Sequence, residues 1–236
     1  MDFKDQLLDY THTQSATTWR MITNDELIQQ TTASTFWRVW VLLLVAFSSA
    51  YAFASGFLPI PVTSTSMLIW AIAWLWVLRY ASAKRQTLSY WTLVALLFAF
   101  ALLEWYTLTG IFFVYEMGSI VSVFLTTWLI FMVLAVVGRY TTINIAKTWT
   151  FLMRALIAYI VAMLVNSFLL QNWTADLVIS WIGLVIFAGL MIYDMNLIRA
   201  MAPLQDKRVP VLISLWLFLN FLNIFLILLR IFGWRD

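Results

Sequence analysis

Seven continuous apolar runs, each long enough to cross a lipid bilayer as a helix, dominate the sequence. They cover residues 36–58, 64–83, 88–113, 118–137, 149–170, 177–201 and 211–233. A hydrocarbon core about 30 Å thick needs roughly 20 apolar residues per helix. Lipid offers the backbone no hydrogen bonds, and the period-two alternation typical of barrel strands is absent. We therefore predict an all-α integral membrane protein, a bundle of seven transmembrane helices in contact with the lipid bilayer.

The composition leaves no room for a separate soluble domain. Of the 236 residues, 64% are hydrophobic and 11% are charged, whereas soluble domains carry roughly 25% charged residues. We predict a polar cytoplasmic tail over residues 1–35 and a transmembrane domain over residues 36–236. The basic residues are dispersed between the apolar runs, which argues against nucleic-acid binding. Cysteine is absent, which excludes disulfides and thiolate metal sites, and we predict no cofactor.

The distribution of lysine and arginine predicts the orientation of the chain, because basic connections stay on the cytoplasmic side. Basic residues flank the second, fourth and sixth connections and are absent from the first, third and fifth. The N-terminus is therefore expected inside and the C-terminus outside. Arg230 and Arg235, at the predicted outer end, run against this trend. The flanking residues are Arg79, Lys84, Arg85, Arg139, Lys147, Arg199, Lys207 and Arg208.

Ionisable residues far from a span end are the main functional candidates, since a charge at the bilayer centre costs roughly 2.5 to 3.5 kcal/mol. Asp194 lies in the sixth span, with Arg79 and Arg154 at similar depth near the inner face. This placement favours a buried ion pair that holds a gate shut. The alternative is a carboxylate that fixes helix packing.

Amide and carboxyl groups add three further candidates. Asn220 and Asn223 are three residues apart in the seventh span, so both are expected to face the sixth helix. They either line an ion pathway or join the helices by interhelical hydrogen bonds. Glu104, in the outer part of the third span, lies either in a hydrated vestibule or at the membrane interface.

Two C-terminal segments carry a family resemblance. They are GLMIYDMNLIRAM at 189–201 and VPVLISLWLFLNFLNIFLILLRIFG at 209–233. The chain resembles the Bax inhibitor-1 family in its bacterial form, with LEWYTLTGI at 103–111 as a looser match. The residues that fit the family motifs are Tyr193, Asp194, Asn196, Ile198, Leu228, Leu229, Arg230, Ile231, Phe232 and Gly233.

The resemblance implies six helices around the seventh and a pH-sensitive calcium leak. In the family, an aspartate on the sixth helix shares a proton with one on the seventh. Asp194 matches the first, but the second falls at Asn220, so only one group of the pair titrates. We expect a leak that is weaker or differently dependent on pH. Calcium is the implied permeant ion, and Asp194 binds it weakly and transiently, since a tight site needs six to eight oxygen ligands.

Competing functions are less well supported by the residues. An intramembrane aspartyl protease needs a second aspartate in the spans, and a metal-dependent hydrolase needs histidines there, whereas the one histidine, His12, lies in the tail. We therefore expect no enzyme. The main alternative is a non-conducting regulator that binds another membrane protein or a membrane protease. We expect a monomer in the bacterial inner membrane.

Overall fold

A computed structural model of the chain describes residues 24–56 and 87–234. The described part is almost entirely helical. A turn of π-helix, Asn166–Leu170, continues α5, and a 3₁₀ turn, Ala202–Leu204, follows α6. The helices are α1 (Asn24–Ala54), α2 (Tyr90–Thr109), α3 (Ile111–Val114), α4 (Met117–Tyr140), α5 (Ile145–Val165), α6 (Trp173–Met201) and α7 (Arg208–Phe232).

Five of the described helices are long and apolar enough to cross a membrane. These are α1, α4, α5 with its π-turn, α6 with its 3₁₀ turn, and α7, while α2 carries a shorter apolar stretch, Tyr90–Glu104. They confirm the prediction of an all-α membrane protein. The predicted run 64–83 lies outside the described residues, so the count of seven spans stays a prediction.

Local sequence signals explain where several helices begin. The side chains of Ser89, Asn144 and Asn172 accept hydrogen bonds from backbone N–H groups in the first turns of α2, α5 and α6, which are otherwise unpaired. The first helix begins at Asn24, well before the predicted span at residue 36, with Asp25 and Glu26 in its first turn. Acidic residues there favour the helix dipole, and the predicted tail is therefore partly helical.

The last helix, α7, forms the core of the described bundle. Side chains are buried over 78% of its most apolar stretch, against 17% to 33% in the other four long apolar helices. It packs against α6, α1, α4 and α2. Phe218, Phe221 and Phe225 are fully buried on it, together with Phe100 of α2 and Phe131 of α4. Enclosure of α7 by six helices stays a prediction.

Glycines bring α6 close to its two neighbours. A Cβ atom at Gly138 in α4 would lie 2.8 Å from the Cβ of Met195 and 3.1 Å from the Cα of Ile192. A Cβ at Gly183 in α6 would collide with the ring of Tyr159 in α5. Small residues at helix crossings let membrane helices pack closely. These contacts hold α6 between α4 and α5.

The C-terminal end of α7 is attached to the start of α4. The backbone N–H of Trp234 donates to Ser119 Oγ at 2.9 Å, and the N–H of Glu116 donates to the carbonyl of Trp234 at 3.2 Å. A Cβ at Gly233 would collide with the ring of Tyr115. Gly233 of the predicted motif therefore has a packing role.

Arg230 forms an ion pair with Asp176 in the first turn of α6, where Nη1 and Oδ1 are 3.3 Å apart. The positive charge of Arg230 did not fit the predicted distribution of basic residues. The carboxylate of Asp176 balances this charge at the same end of the bundle. Because both side chains are about one-third exposed, the pair contributes less than about 1 kcal/mol to stability. Arg235 lies outside the described residues.

Candidate cation site between α6 and α7

Asp194 and Asn220 meet in the interior of the bundle. The Nδ2 of Asn220 donates a hydrogen bond to Oδ2 of Asp194 at 2.6 Å. Asp194 is 4% exposed and Asn220 is 5% exposed. Asp194 lies about two turns before the end of α6, and Asn220 lies mid-way along α7. A hydrogen bond to a buried carboxylate is stronger than one between neutral groups, so this contact joins the two helices.

A cavity of about 420 Å³ lies beside this contact. It extends from Asp194 to the connection between α6 and α7, where Met201 and Val209 form its rim. Asp194 is the one charged residue among the described lining residues. The lining consists of Trp149, Tyr193, Asp194, Leu197, Met201, Val209, Leu212, Ile213 and Trp216.

The two carboxyl oxygens of Asp194 differ in their described partners. Asn220 donates to Oδ2, and no described residue donates to Oδ1. Asp194 is also one of the residues that line the cavity. The carboxyl group therefore both joins α6 to α7 and contributes to the cavity wall.

Beyond Asn220 the interior is apolar and tightly filled. Phe221, Ile224 and Phe225 of α7 are 0% exposed. The rings of Phe221 and Phe131 lie 5.5 Å apart, and those of Phe225 and Phe47 lie 5.2 Å apart. The cavity thus ends at the level of the Asp194–Asn220 contact.

The α6–α7 connection at the rim carries its own ion pair. Arg208 Nη2 lies 2.9 Å from Asp206 Oδ2, and the two groups share further hydrogen bonds. The hydrogen bonds from the Arg208 side chain hold the pKa of Asp206 below its usual value. Asp206 therefore stays ionised at neutral pH. A second cavity of about 340 Å³ lies between this connection and the start of α1, and it shares Met201 and Val209 with the first.

The other predicted charged candidates do not converge on Asp194 in the described part of the chain. Arg154 has an exposed side chain on α5 and forms no salt bridge with Asp194. Arg79 lies outside the described residues. Glu104 is buried in α2 and does not line the cavity. Among the described residues, Asp194 thus pairs with the amide of Asn220 and not with Arg154, and pairing with Arg79 stays a prediction.

Asn223 differs from Asn220 in its partner. Its Nδ2 donates to the carbonyl of Leu219 in its own helix at 2.8 Å, so its amide is satisfied within α7. Three residues correspond to about 300° around a helix, which leaves the two side chains about 60° apart. Because of this angle, Asn220 reaches Asp194 of α6 whereas Asn223 bonds within α7.

The remaining motif residues on α6 have identifiable structural positions. Asn196 donates from Nδ2 to the carbonyl of Gly138 at 3.1 Å and to that of Ile192 at 3.0 Å. It therefore ties α6 to α4 at the glycine crossing. Ile198 is fully buried in the core. Tyr193 forms part of the cavity wall.

Two tryptophans of the cavity were not predicted as site residues. They are Trp149 of α5 and Trp216 of α7. The sequence carried a signal for Trp216, because it precedes Asn220 by four residues and follows Leu212 by four, which places all three on one face of α7. Trp149 lies near the start of α5, and no local pattern indicates which helix it packs against.

The comparisons with known proteins agree with the motif resemblance. The family model described as inhibitor of apoptosis-promoting Bax1 matches residues 28–236. The chain belongs to the Bax inhibitor family. A match of this extent covers every described helix from the first turns of α1 to the end of α7 and includes the Asp194–Asn220 contact.

Bacterial members of the Bax inhibitor family are among the relatives of this chain. Inner membrane protein YbhL of Escherichia coli is 34% identical over 208 residues, which cover 84% of this chain and 88% of YbhL. A protein of Borreliella burgdorferi is 39% identical over 150 residues, 61% of this chain and 64% of the relative. A protein of Deinococcus radiodurans is 33% identical over 156 residues. The matched region thus spans less than two thirds of the Borreliella relative.

Proposed function

We propose that this member of the Bax inhibitor family mediates a passive leak of calcium or other cations across the bacterial inner membrane. The observation that carries the proposal is the buried carboxyl group of Asp194, which accepts a hydrogen bond from Asn220 and lines a cavity. A carboxylate far inside a membrane bundle attracts cations and is costly to retain without a role. The process is passive and includes no catalytic step.

The proposed path runs along α7, and the Asp194–Asn220 contact closes it. The cavity supplies the section between the α6–α7 connection and Asp194. The tightly packed phenylalanines beyond Asn220 form an apolar barrier of the kind that closes channels by excluding water. Breaking the hydrogen bond frees α6 and α7 to move apart at this level. Glu104 and Asn223 are proposed as polar groups of the path in its open form.

Weak ion binding suits this function. Calcium prefers six to eight oxygen ligands, and among the described residues no three acidic or histidine side chains cluster together. An ion that meets one carboxylate and a few neutral oxygens leaves as readily as it enters, as permeation requires. We therefore assign calcium the role of transported ion, held only transiently at Asp194.

The membrane arrangement belongs to the same proposal. We propose a monomer with seven spans, in which residues 64–83 supply the second span and six helices surround α7. The N-terminus lies in the cytoplasm and the C-terminus outside. The lysines and arginines that flank the even-numbered connections support this orientation. The similarity to inner membrane protein YbhL supports an inner-membrane location.

The test is calcium influx into liposomes that contain the purified full-length protein and a trapped calcium dye. We expect influx above that of empty liposomes, and we expect Asp194→Asn to reduce it several-fold because the charge that attracts the cation is lost. Asp206→Asn is the matched control, since this carboxylate lies outside the spans. Equal influx in protein-containing and empty liposomes would contradict the leak and favour the non-conducting regulator.

A further inference from the structure

The cavity beside Asp194 is walled by aromatic rings from three helices. Trp149 comes from α5, Tyr193 from α6 and Trp216 from α7. The ring centroids of Trp149 and Tyr193 are 5.3 Å apart, and those of Trp149 and Trp216 are 6.3 Å apart with nearly perpendicular planes. The rings thus pack against one another and form one aromatic side of the cavity, and aliphatic side chains make up most of the remaining described wall.

Asp194 is the one acidic residue in the described wall, and no described basic side chain is paired with it. None of the described lining residues is lysine, arginine or histidine, and Asp194 forms no salt bridge with a described residue. Tyr193 is the one other titratable group in the described lining. A buried carboxylate of this kind is stabilised by a cation or a proton.

The wall selects among cations by their hydration. Metal ions such as calcium need many oxygen ligands, whereas the described wall supplies Asp194 and the hydroxyl of Tyr193. Quaternary ammonium ions are weakly hydrated because they carry no N–H group, and the faces of tryptophan and tyrosine attract them. A volume of about 420 Å³ falls within the range of small-molecule sites.

We propose that this cavity binds a small quaternary ammonium group, with its positive head against the aromatic wall of Trp149, Tyr193 and Trp216 and beside the carboxyl group of Asp194. The group belongs either to a free ion of the choline class or to a lipid headgroup. The proposal concerns binding in the structure as it stands, so it does not depend on conduction. A bound ammonium occupies the only charged position in the described cavity wall.

The test is equilibrium binding of radiolabelled choline to the purified full-length protein in nanodiscs of phosphatidylglycerol, which carries no ammonium group. We expect saturable binding that tetramethylammonium displaces. The neutral analogue of choline, 3,3-dimethylbutan-1-ol, has the same shape without the charge and is expected not to displace it. Absence of saturable binding, or equal displacement by the neutral alcohol, would overturn the proposal without any variant having to fold.

Variants locate the site. Asp194→Asn is expected to weaken choline binding at least about tenfold, and Trp216→Leu several-fold, because each removes one of the two attractions. Trp91→Leu is the matched control, since Trp91 is highly exposed on α2 and outside the cavity. Unchanged affinity in both folded site variants would refute the assignment.

Adding phosphatidylcholine to the nanodiscs distinguishes the two sources of the ammonium group. Loss of choline binding assigns the cavity to the lipid headgroup, and persistence assigns it to the free ion. Either result retains an ammonium site at Asp194.

Discussion

Asp194 and Asn220 show how one amide changes the chemistry of a buried carboxylate. In the family pattern two aspartates share a proton at this place, whereas here Asn220 donates its own N–H to Asp194. The carboxylate therefore has a partner that does not titrate. Any pH dependence of the site comes from the single Asp194 carboxyl, because Tyr193 is the one other titratable side chain in the described cavity wall and ionises only in alkaline solution.

The two asparagines of α7 provide a matched pair for a stability test. Asn220→Ala removes the partner of a buried carboxylate, whereas Asn223→Ala removes a hydrogen bond to the backbone of the same helix. We expect Asn220→Ala to destabilise the protein by about 1 to 2 kcal/mol and Asn223→Ala to have a smaller effect. Thermal unfolding in detergent measures both. Equal destabilisation would show that the interhelical bond adds nothing.

At the scale of elements, the apolar runs predicted the long described helices, because the need to satisfy the backbone in lipid leaves few choices. The helix ends were less predictable. The start of α1 at Asn24 continues a helix into polar sequence. The π-turn Asn166–Leu170 lies within the predicted apolar run 149–170, and its hydropathy does not distinguish it from the α-helix before it. Hydropathy measures transfer into lipid, whereas helix ends depend on caps and hydrogen bonds.

The candidate site was predictable only in part. Asp194 and Asn220 stood out because polar groups are rare in spans, and a shared helix face placed Asn220 toward α6. Arg154 does not pair with Asp194, since similar depth along the membrane does not specify which helices are neighbours, and pairing with Arg79 stays a prediction. Trp149 became recognisable only when the packing of α5 against α6 was known.

Gly138 and Gly118, both in α4, provide a test of helix packing. Gly138→Ala places a methyl group against the Met195 side chain and the Ile192 backbone, while a Cβ at Gly118 meets nothing within 4 Å. We expect Gly138→Ala to cost about 1 to 3 kcal/mol through overpacking and Gly118→Ala to cost little. Thermal unfolding of both variants measures the difference. No loss in Gly138→Ala would mean that α4 and α6 are farther apart than described.

For the whole molecule, the absence of cysteine permits a clean test of orientation. Gln171 precedes α6 and Gln205 follows it, so the two lie on opposite sides of one span. In intact cells stripped of the outer membrane, we expect an impermeant maleimide to label Gln171→Cys at once. Gln205→Cys should react only after permeabilisation. The reverse pattern would invert the proposed topology.

The cavity, the buried contact and the apolar barrier form one arrangement in the described bundle. The cavity lies on the α6–α7 connection side, Asp194 and Asn220 close it, and the phenylalanine core continues beyond them. The proposed leak requires this arrangement to change between a closed and an open form. The proton dependence of the flux therefore reports directly on the groups at the contact.

The most direct measurement is calcium influx into liposomes at about pH 6, 7 and 8 for wild type and Asn220→Asp. Asn144→Asp, at an exposed position just before α5, is the control. We expect the dependence of the wild-type flux on pH to be no steeper than the titration of one group, because Asp194 is the single titrating group of the pair. Asn220→Asp is expected to steepen that dependence by restoring two coupled carboxyls. A steep two-proton response in wild type, or an unchanged slope in Asn220→Asp, would contradict a gate at Asp194 and Asn220.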